Sequence, residues 1–317
     1  MKIAIVHDYL TQLGGAERVL EVFCEMFPEA PIYTLLADPD ILTAPMKKHR
    51  INQSFVSRLP FVKKHYKKYL LLFPTAIEQF DLSEYDVVLS ASSAFAKGVL
   101  TKPDTRHICY CYTPMRYVWD LYHRYLQEDG PGGLYRKILP FGLHYVRLWD
   151  RLTADRVDDF IAISQAVARR IEKYYRRSST VIYPPVEVER FRVADPDQVE
   201  DYVLVVSRLL PYKRVDIVIE ACNALKQTLV IIGDGYDRPR LERLAGPTVK
   251  FLGYQPDHVT AEYYAKCKAF IFAGEEDFGL TPVEAQASGR PVIAFAAGGA
   301  LETVVQGETG LFFKEQT

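Results

Sequence analysis

The sequence predicts an α/β protein made of two doubly wound, parallel-sheet domains in series. Three observations carry that prediction. The chain has 317 residues, room for about two domains at roughly 150 residues each. Its first 27 residues read as strand, glycine loop and helix. Short apolar runs then alternate with helical segments, stop in a polar, Pro-containing stretch, and resume. Strands that alternate with helices pair in parallel and are covered on both faces.

In the first half, Ile3–His7 is a β-branched run and Gly14-Gly15 the loop. Ala16–Phe27 places Val19, Leu20, Phe23, Met26 and Phe27 at helical spacing. Further strands are expected at Val87–Ser90, His107–Tyr112, Phe160–Ser164 and Thr180–Tyr183, with a helix at Gln165–Tyr174. The pattern breaks between Pro184-Pro185 and Glu200, which sets the domains at 1–190 and 191–317. In the second half, strands are expected at Tyr202–Val206, Thr228–Ile232, Val249–Tyr254, Ala269–Ala273 and Pro291–Phe295. Helices are expected at Arg214–Leu225, Asp257–Cys267 and Pro282–Ser288, and Gly298-Gly299 opens another. Ligands of such sheets sit outside the strand carboxyl ends, so a cleft between the two domains is the expected site.

Composition narrows the function. Hydrophobic residues are 49% and charged residues 25%, which excludes disorder, collagen and a pure coiled coil. No run of about 18 apolar residues is present, so no transmembrane helix is expected, and the N-terminus lacks the form of a secretory signal. The 5 cysteines are odd in number and show no CxxC spacing, which reads as reduced thiols in a cytoplasmic protein. Cys109 and Cys111 are expected on opposite faces of their strand and so not as joint chelators. Net charge is -1, yet residues 1–199 hold 27 Lys and Arg against 24 acids, and residues 200–317 hold 12 against 16. Ile41–Ile77 carries eight basic residues and no acid, a bias that suits an anionic partner. No nucleic-acid motif is visible.

The sharpest motif is Glu276-Asp277-Phe278-Gly279-Leu280-Thr281-Pro282-Val283-Glu284. It leaves a strand, turns at Gly279 and enters a helix, whose free N–H groups and dipole favour a phosphate or sugar oxygen. Thr281 suits the N-cap, Pro282 the first helical position and Glu284 the third, so Thr281 and Glu284 also read as a plain capping box. Glu276 precedes the helix and is open to sugar hydroxyls. The second motif is Ser207-Arg208-Leu209-Leu210-Pro211-Tyr212-Lys213-Arg214, after the first strand of the second domain. Arg208 can fork onto phosphate oxygens and Lys213 adds a point charge. Cations at a helix start oppose its dipole, which favours an anion there. No GxGxxG follows any strand, which counts against a nicotinamide-dependent oxidoreductase.

Arg208 with Lys213, followed by Glu276 with Glu284 in the second of two α/β domains, resembles the retaining GT-B glycosyltransferases of family GT4. Gly14-Gly15-Ala16-Glu17 and Ala162-Ile163-Ser164 extend the resemblance over nearly the whole chain. The opening, Ile3 to Val19, is similar to bacterial polysaccharide and O-antigen mannosyltransferase-like members. The resemblance implies two Rossmann-like domains facing across a cleft. Arg208, Lys213 and Glu276 would be the catalytic set, with the two cations neutralising the donor diphosphate and Glu276 on the transferred sugar. Glu284 would hold the ribose. Backbone around Phe278, Gly279, Leu280 and Thr281 would touch sugar or phosphate, with Gly14, Gly15, Gly233 and Tyr254 also on the donor. Thr113 and Arg116 stand where relatives present a sugar contact, often a histidine or acid, and Tyr183-Pro184-Pro185-Val186 replaces a common Asn-Gly turn. No enzymic nucleophile is required, since the departing phosphate can act as base in a front-face reaction.

The resemblance also implies no metal and no cofactor beyond a nucleotide-sugar donor, GDP-mannose before UDP-glucose. Asp38-Pro39-Asp40 and Asp195-Pro196-Asp197 have DxD form but read as turns. The acceptor is expected to be a glycan or a lipid-diphosphate-linked glycan, in polysaccharide or lipopolysaccharide assembly. Lys47, Lys48, Arg50, Arg58, Lys63, Lys64, Lys67 and Lys68, with Phe55, Phe61, Tyr66, Tyr69 and Leu70–Phe73, suit the inner leaflet of the plasma membrane, at roughly 1 kcal/mol per cation. Tyr117, Trp119, Tyr122, Tyr125, Phe141, Tyr145 and Trp149 are assigned to the same face. A solvated face over core aromatics explains these residues equally well, and a non-catalytic sugar-nucleotide-binding subunit stays open. Relatives continue past residue 317, so a C-terminal tail is expected to be missing.

Overall fold

The first strand shows why this chain folds in layers. In β1 (Ile3–Leu10) nearly every residue is buried, as a strand covered on both faces requires. The computed structural model describes residues 1–126 and 134–317. It divides into two units, Met1–Pro184 and Pro185–Thr317.

The first unit holds one sheet in the order β3-β2-β1-β4-β5-β6-β7. The other strands are β2 (Ile32–Ala37), β3 (Ile51–Gln53), β4 (Val87–Ser92), β5 (Arg106–Cys111), β6 (Asp159–Ala162) and β7 (Thr180–Val181). Every pairing in it is parallel. The second unit's sheet runs β10-β9-β8-β11-β12-β13, again parallel throughout. Its strands are β8 (Tyr202–Val206), β9 (Thr228–Ile232), β10 (Val249–Gly253), β11 (Ala269–Phe272), β12 (Val292–Phe295) and β13 (Gly310–Phe313). Both sheets are Rossmann-like. The expected strands are present with ends moved by up to three residues. β2, β3 and β13 and the helix Leu134–Thr153 are additions to the expected list.

Two buried carboxylates organise the first unit. Asp8, near the end of β1, accepts from the N–H groups of Ser93, Ala94, Phe95 and Ala96 and from the Ser93 hydroxyl, at 2.6–3.0 Å. It thereby closes the turn after β4. The next residue, Lys97, is 1% exposed and ion-pairs with the fully buried Asp150 at 2.7 Å. Asp150 also accepts from Trp119 Nε1 at 2.7 Å and from the Tyr175 hydroxyl at 3.0 Å.

Several expectations need correction. Residues two apart on a strand share a face, so Cys109 and Cys111 lie together rather than apart, and both are buried. The Cys111 thiol is pushed up by burial first and then by its contact with Cys109. All five thiols are free. The aromatic face is also redistributed: Tyr66, Tyr69, Leu70, Tyr117, Trp119, Tyr122 and Tyr125 pack against the core, and Trp149 and Phe73 are buried within it. The side chains of Lys63, Lys64 and Lys67 lie outside the described ones. The two DxD stretches form short turns, and Asp38 caps its own by accepting from the Asp40 N–H.

Two consequences are measurable. Removing one member of a buried ion pair strands the other charge, so Lys97→Met is expected to cost about 3–5 kcal/mol in urea unfolding. The double variant K97M/D150L is expected to cost less than either single change, because it removes both charges. His107 is fully buried, with Ser90 Oγ 2.9 Å from its Nε2, and burial lowers its pKa from 6.5 to about 4. The unfolded chain therefore takes the proton first. Stability from this group is full above pH 6.5 and is lost as pH falls toward 4, by up to about 3 kcal/mol. The stability difference between wild type and His107→Gln is expected to shrink by that amount over this window.

Candidate active site

The second unit gathers its chemistry at the carboxyl edge of the sheet. Because all its strands run in parallel, the loops after β8, β9, β10, β11 and β12 leave from one edge.

The loop after β8 is laced to the turn after β9. Ser207 N–H donates to Ile232 O, Leu209 N–H to Asp234 O, and Asp237 N–H to Leu209 O, at 2.9–3.1 Å. The approach is close enough to require glycine: Gly233 has φ +124°, and a Cβ there would stand 2.0 Å from Ser207 O. Gly233 N–H donates to Gly253 O, which joins the turn carrying Tyr254, itself 72% exposed. Arg208 is exposed on the β8 loop. Lys213 ends a 3-10 turn, Pro211–Lys213, and its ammonium stands 5.1 Å from the Tyr212 ring centroid.

The loop after β11 delivers the partner. Lys213 forms an ion pair with Glu276, and their side chains are 11% and 25% exposed. Three glycines outside the predicted set make this meeting feasible. A Cβ on Gly274 would lie 2.9 Å from Lys213 Cα, one on Gly298 2.2 Å from Glu276 O, and one on Gly299 2.2 Å from Phe278 O. Gly299 N–H also donates to Glu276 O at 2.8 Å. The only sequence signal for this was the Gly298-Gly299 pair itself.

The helix beyond begins earlier than expected. Gly279 (φ +88°) is its N-cap and Leu280–Ala287 its span. Leu280, Thr281 and Pro282 therefore take the first three positions and Glu284 the fifth. Thr281 is not the cap and the capping box is not formed, because Gly279 makes the turn two residues before Thr281. A non-glycine there would meet the Phe272 ring at 3.0 Å. Glu284 instead accepts from the Tyr264 hydroxyl at 3.0 Å. Phe278 is buried beside this turn.

The remaining predicted residues belong to the first unit. Gly14 N–H donates to Glu17 Oε2 at 2.7 Å, and Glu17 Oε1 lies 3.6 Å from His7 Nε2. The Tyr112 hydroxyl donates to Ala16 O at 2.9 Å. Buried His7, Glu17 and Tyr112 thus hold the Gly14-Gly15 loop at the end of β1. Arg116 pairs with Asp120 at 3.1 Å; Arg170, 3.7 Å from the same carboxylate, donates to Thr113 Oγ. The described residues contain no group of three potential metal ligands.

Comparison with known proteins follows this division. The family model described as Glycosyltransferase Family 4 matches residues 13–190, and that of Glycosyl transferases group 1 matches residues 186–317. A GDP-mannose-dependent alpha-mannosyltransferase of Mycobacterium tuberculosis is 33% identical over 200 residues, 58% of this chain and 51% of the relative. A D-inositol 3-phosphate glycosyltransferase of Frankia alni is 30% identical over 188 residues, 50% of this chain and 44% of the relative. The chain spans about half the length of the curated relatives it matches. Among solved structures, Anabaena HepE in complex with UDP matches with a TM-score of 0.68 at 21% identity, covering 99% of this chain and 86% of that one. Sucrose-phosphate synthase from Thermosynechococcus elongatus matches at 0.73 and 17%, covering 98% and 86%. These likenesses show the GT-B fold.

The glycine packing has a direct test. Gly299→Ala is expected to cost about 3 kcal/mol in thermal or urea unfolding, since backbone on both sides must move. Gly307, unlike Gly299, has positive φ (+81°), with nothing within 4 Å of its added Cβ. Gly307→Ala is expected to cost only the backbone strain, about 1–2 kcal/mol.

Proposed function

Because the chain belongs to Glycosyltransferase Family 4, we propose that it is a retaining glycosyltransferase that takes a hexose from a nucleotide-diphosphate sugar. The observation that carries this reading is the Lys213–Glu276 pair at the carboxyl edge of the second sheet. An ammonium has three donors. One bond to Glu276 leaves capacity for diphosphate oxygens, and the second carboxylate oxygen of Glu276 can accept from sugar hydroxyls. Arg208, exposed on the same loop as Lys213, supplies the second cation for the charge that develops as the nucleoside diphosphate departs. The departing phosphate serves as base. Lys213 and Arg208 occupy the role that a metal ion plays elsewhere, so the reaction is metal-independent. Glu284 holds the ribose by exchanging its Tyr264 bond.

GDP-mannose is the first donor to test, in keeping with the mannosyltransferase relative, and UDP-glucose the second. The acceptor is a glycan or lipid-diphosphate-linked glycan of polysaccharide or lipopolysaccharide assembly, met at the inner face of the membrane. No described helix is long and apolar enough to cross it.

Donor hydrolysis with GDP-mannose and UDP-glucose tests the donor side without an acceptor. Lys213→Ala and Glu276→Ala are each expected to lower kcat by about 10²–10³-fold, the scale for losing one transition-state charge contact. Turnover by wild type that neither change affects overturns the assignment. A melting shift with donor but no turnover assigns a binding subunit instead.

A further inference from the structure

The helix Leu134–Thr153 buries one face and leaves the opposite face apolar. Leu139, Leu143, Val146 and Trp149 point into the core. Ile138, Phe141, Tyr145, Leu148 and Leu152 are all between 49% and 77% exposed. Their spacing of three and four residues draws one continuous stripe along the helix. The stripe continues onto the segment Tyr66–Leu72. Leu71, 50% exposed, lies against Gly142, where a Cβ would stand 3.3 Å from Leu71 Cδ2. Single exposed apolar residues are ordinary, but an aligned set on neighbouring elements marks an interaction surface.

The charges around it select the occupant. The residues flanking the stripe on one side are Lys137, His144 and Arg151. The helix's one acid, Asp150, is fully buried. Asp155, the first acid after the helix, is exposed and is paired with Arg151 at 2.9 Å. The adjoining stretch Ile41–Ile77 has eight basic residues and no acid, with Lys68 exposed next to Leu71-Leu72. Three-four spacing also suits a coiled-coil seam, but such seams pair acids with bases at their flanks. A second copy would bring cations to cations here.

We propose that this face lies in the plane of an anionic bilayer surface, with the stripe from Ile138 to Leu152 and Leu71 entering the acyl boundary and the basic rim facing lipid phosphates. This deepens the reading of a lipid-linked acceptor by naming the surface that meets the membrane.

The test is flotation of the full chain with phosphatidylcholine vesicles, with and without phosphatidylglycerol, at low and high salt. Recovery with anionic vesicles is expected to exceed that with neutral ones at least tenfold and to fall at high salt. The double variant F141S/L148S, changed only at exposed positions, is expected to lose at least tenfold in recovery while keeping its melting temperature. Equal recovery with both vesicle types, no recovery with either, or unchanged recovery of the double variant overturns the proposal. So does a wild-type dimer in light scattering that F141S/L148S renders monomeric, because a second copy then covers the stripe. Should the variant melt early, the lipid and salt dependence of wild type decides alone. Donor hydrolysis in the absence of vesicles reports separately on the transferase reading, so either can fail while the other stands.

Discussion

The first unit depends on the pairing of Lys97 with Asp150. An ammonium and a carboxylate removed from water cost several kcal/mol each unless every bond is met. Here four segments are obliged to converge to meet them. Lys97 arrives on the turn that Asp8 closes after β4, Asp150 on the long helix, and Tyr175 from the segment before β7. Trp119 joins from the loop after β5. The pair also sets the rotation of the helix. With Asp150 held inward beside Trp149, the residues on the other side of the helix must face outward. The exposed stripe from Ile138 to Leu152 is thus a consequence of where one buried acid sits.

The second unit relies on the absence of side chains. Its loops approach one another at distances that only glycine permits, and those approaches determine where charged groups stand. Gly274 lets the β11 loop lie on the backbone of Lys213, while Gly298 and Gly299 clear both sides of the Glu276–Phe278 backbone. The ion pair between Lys213 and Glu276 results from that backbone contact. Side chains 63 residues apart meet because three loops from one sheet edge are packed without Cβ atoms between them.

These two mechanisms explain which features were legible in the sequence. Strands such as Tyr202–Val206 and Thr228–Ile232 announce themselves by unbroken apolar runs, and their alternation with helices foretells two parallel sheets. The charged residues Arg208, Lys213 and Glu276 stand out because they follow such strands. Partners were harder to foresee. Asp8 looks like one acid in a strand, yet its five bonds reach residues more than 80 positions away. The helix at Leu280 begins earlier than the sequence predicts: Thr281 and Glu284 have the spacing of a local cap. A glycine in the left-handed region, backed by the Phe272 ring, starts the helix first. The aromatics of 117–149 show residue type but not direction. Tertiary partners decide direction: Trp119 is drawn inward by Asp150 and Trp149 by Glu78 and the Phe95 ring, while Phe141 stays exposed.

The chain therefore contains two lysine–carboxylate pairs of different character. The side chains of Lys97 and Asp150 are 2% and 0% exposed, and their remaining polar atoms are occupied by Thr153, Trp119 and Tyr175. Nothing soluble can exchange with them, so the pair serves the fold. The side chains of Lys213 and Glu276 are 11% and 25% exposed, at a strand carboxyl edge walled by glycine loops. Water reaches them, so the pair is worth less to stability and can be reorganised by an anion. The same two functional groups, in one chain, are a structural clamp where the lone pairs are satisfied and a solvent-reachable pair where one side stays open. Burial and satisfaction of the partners, rather than residue type, separate the roles.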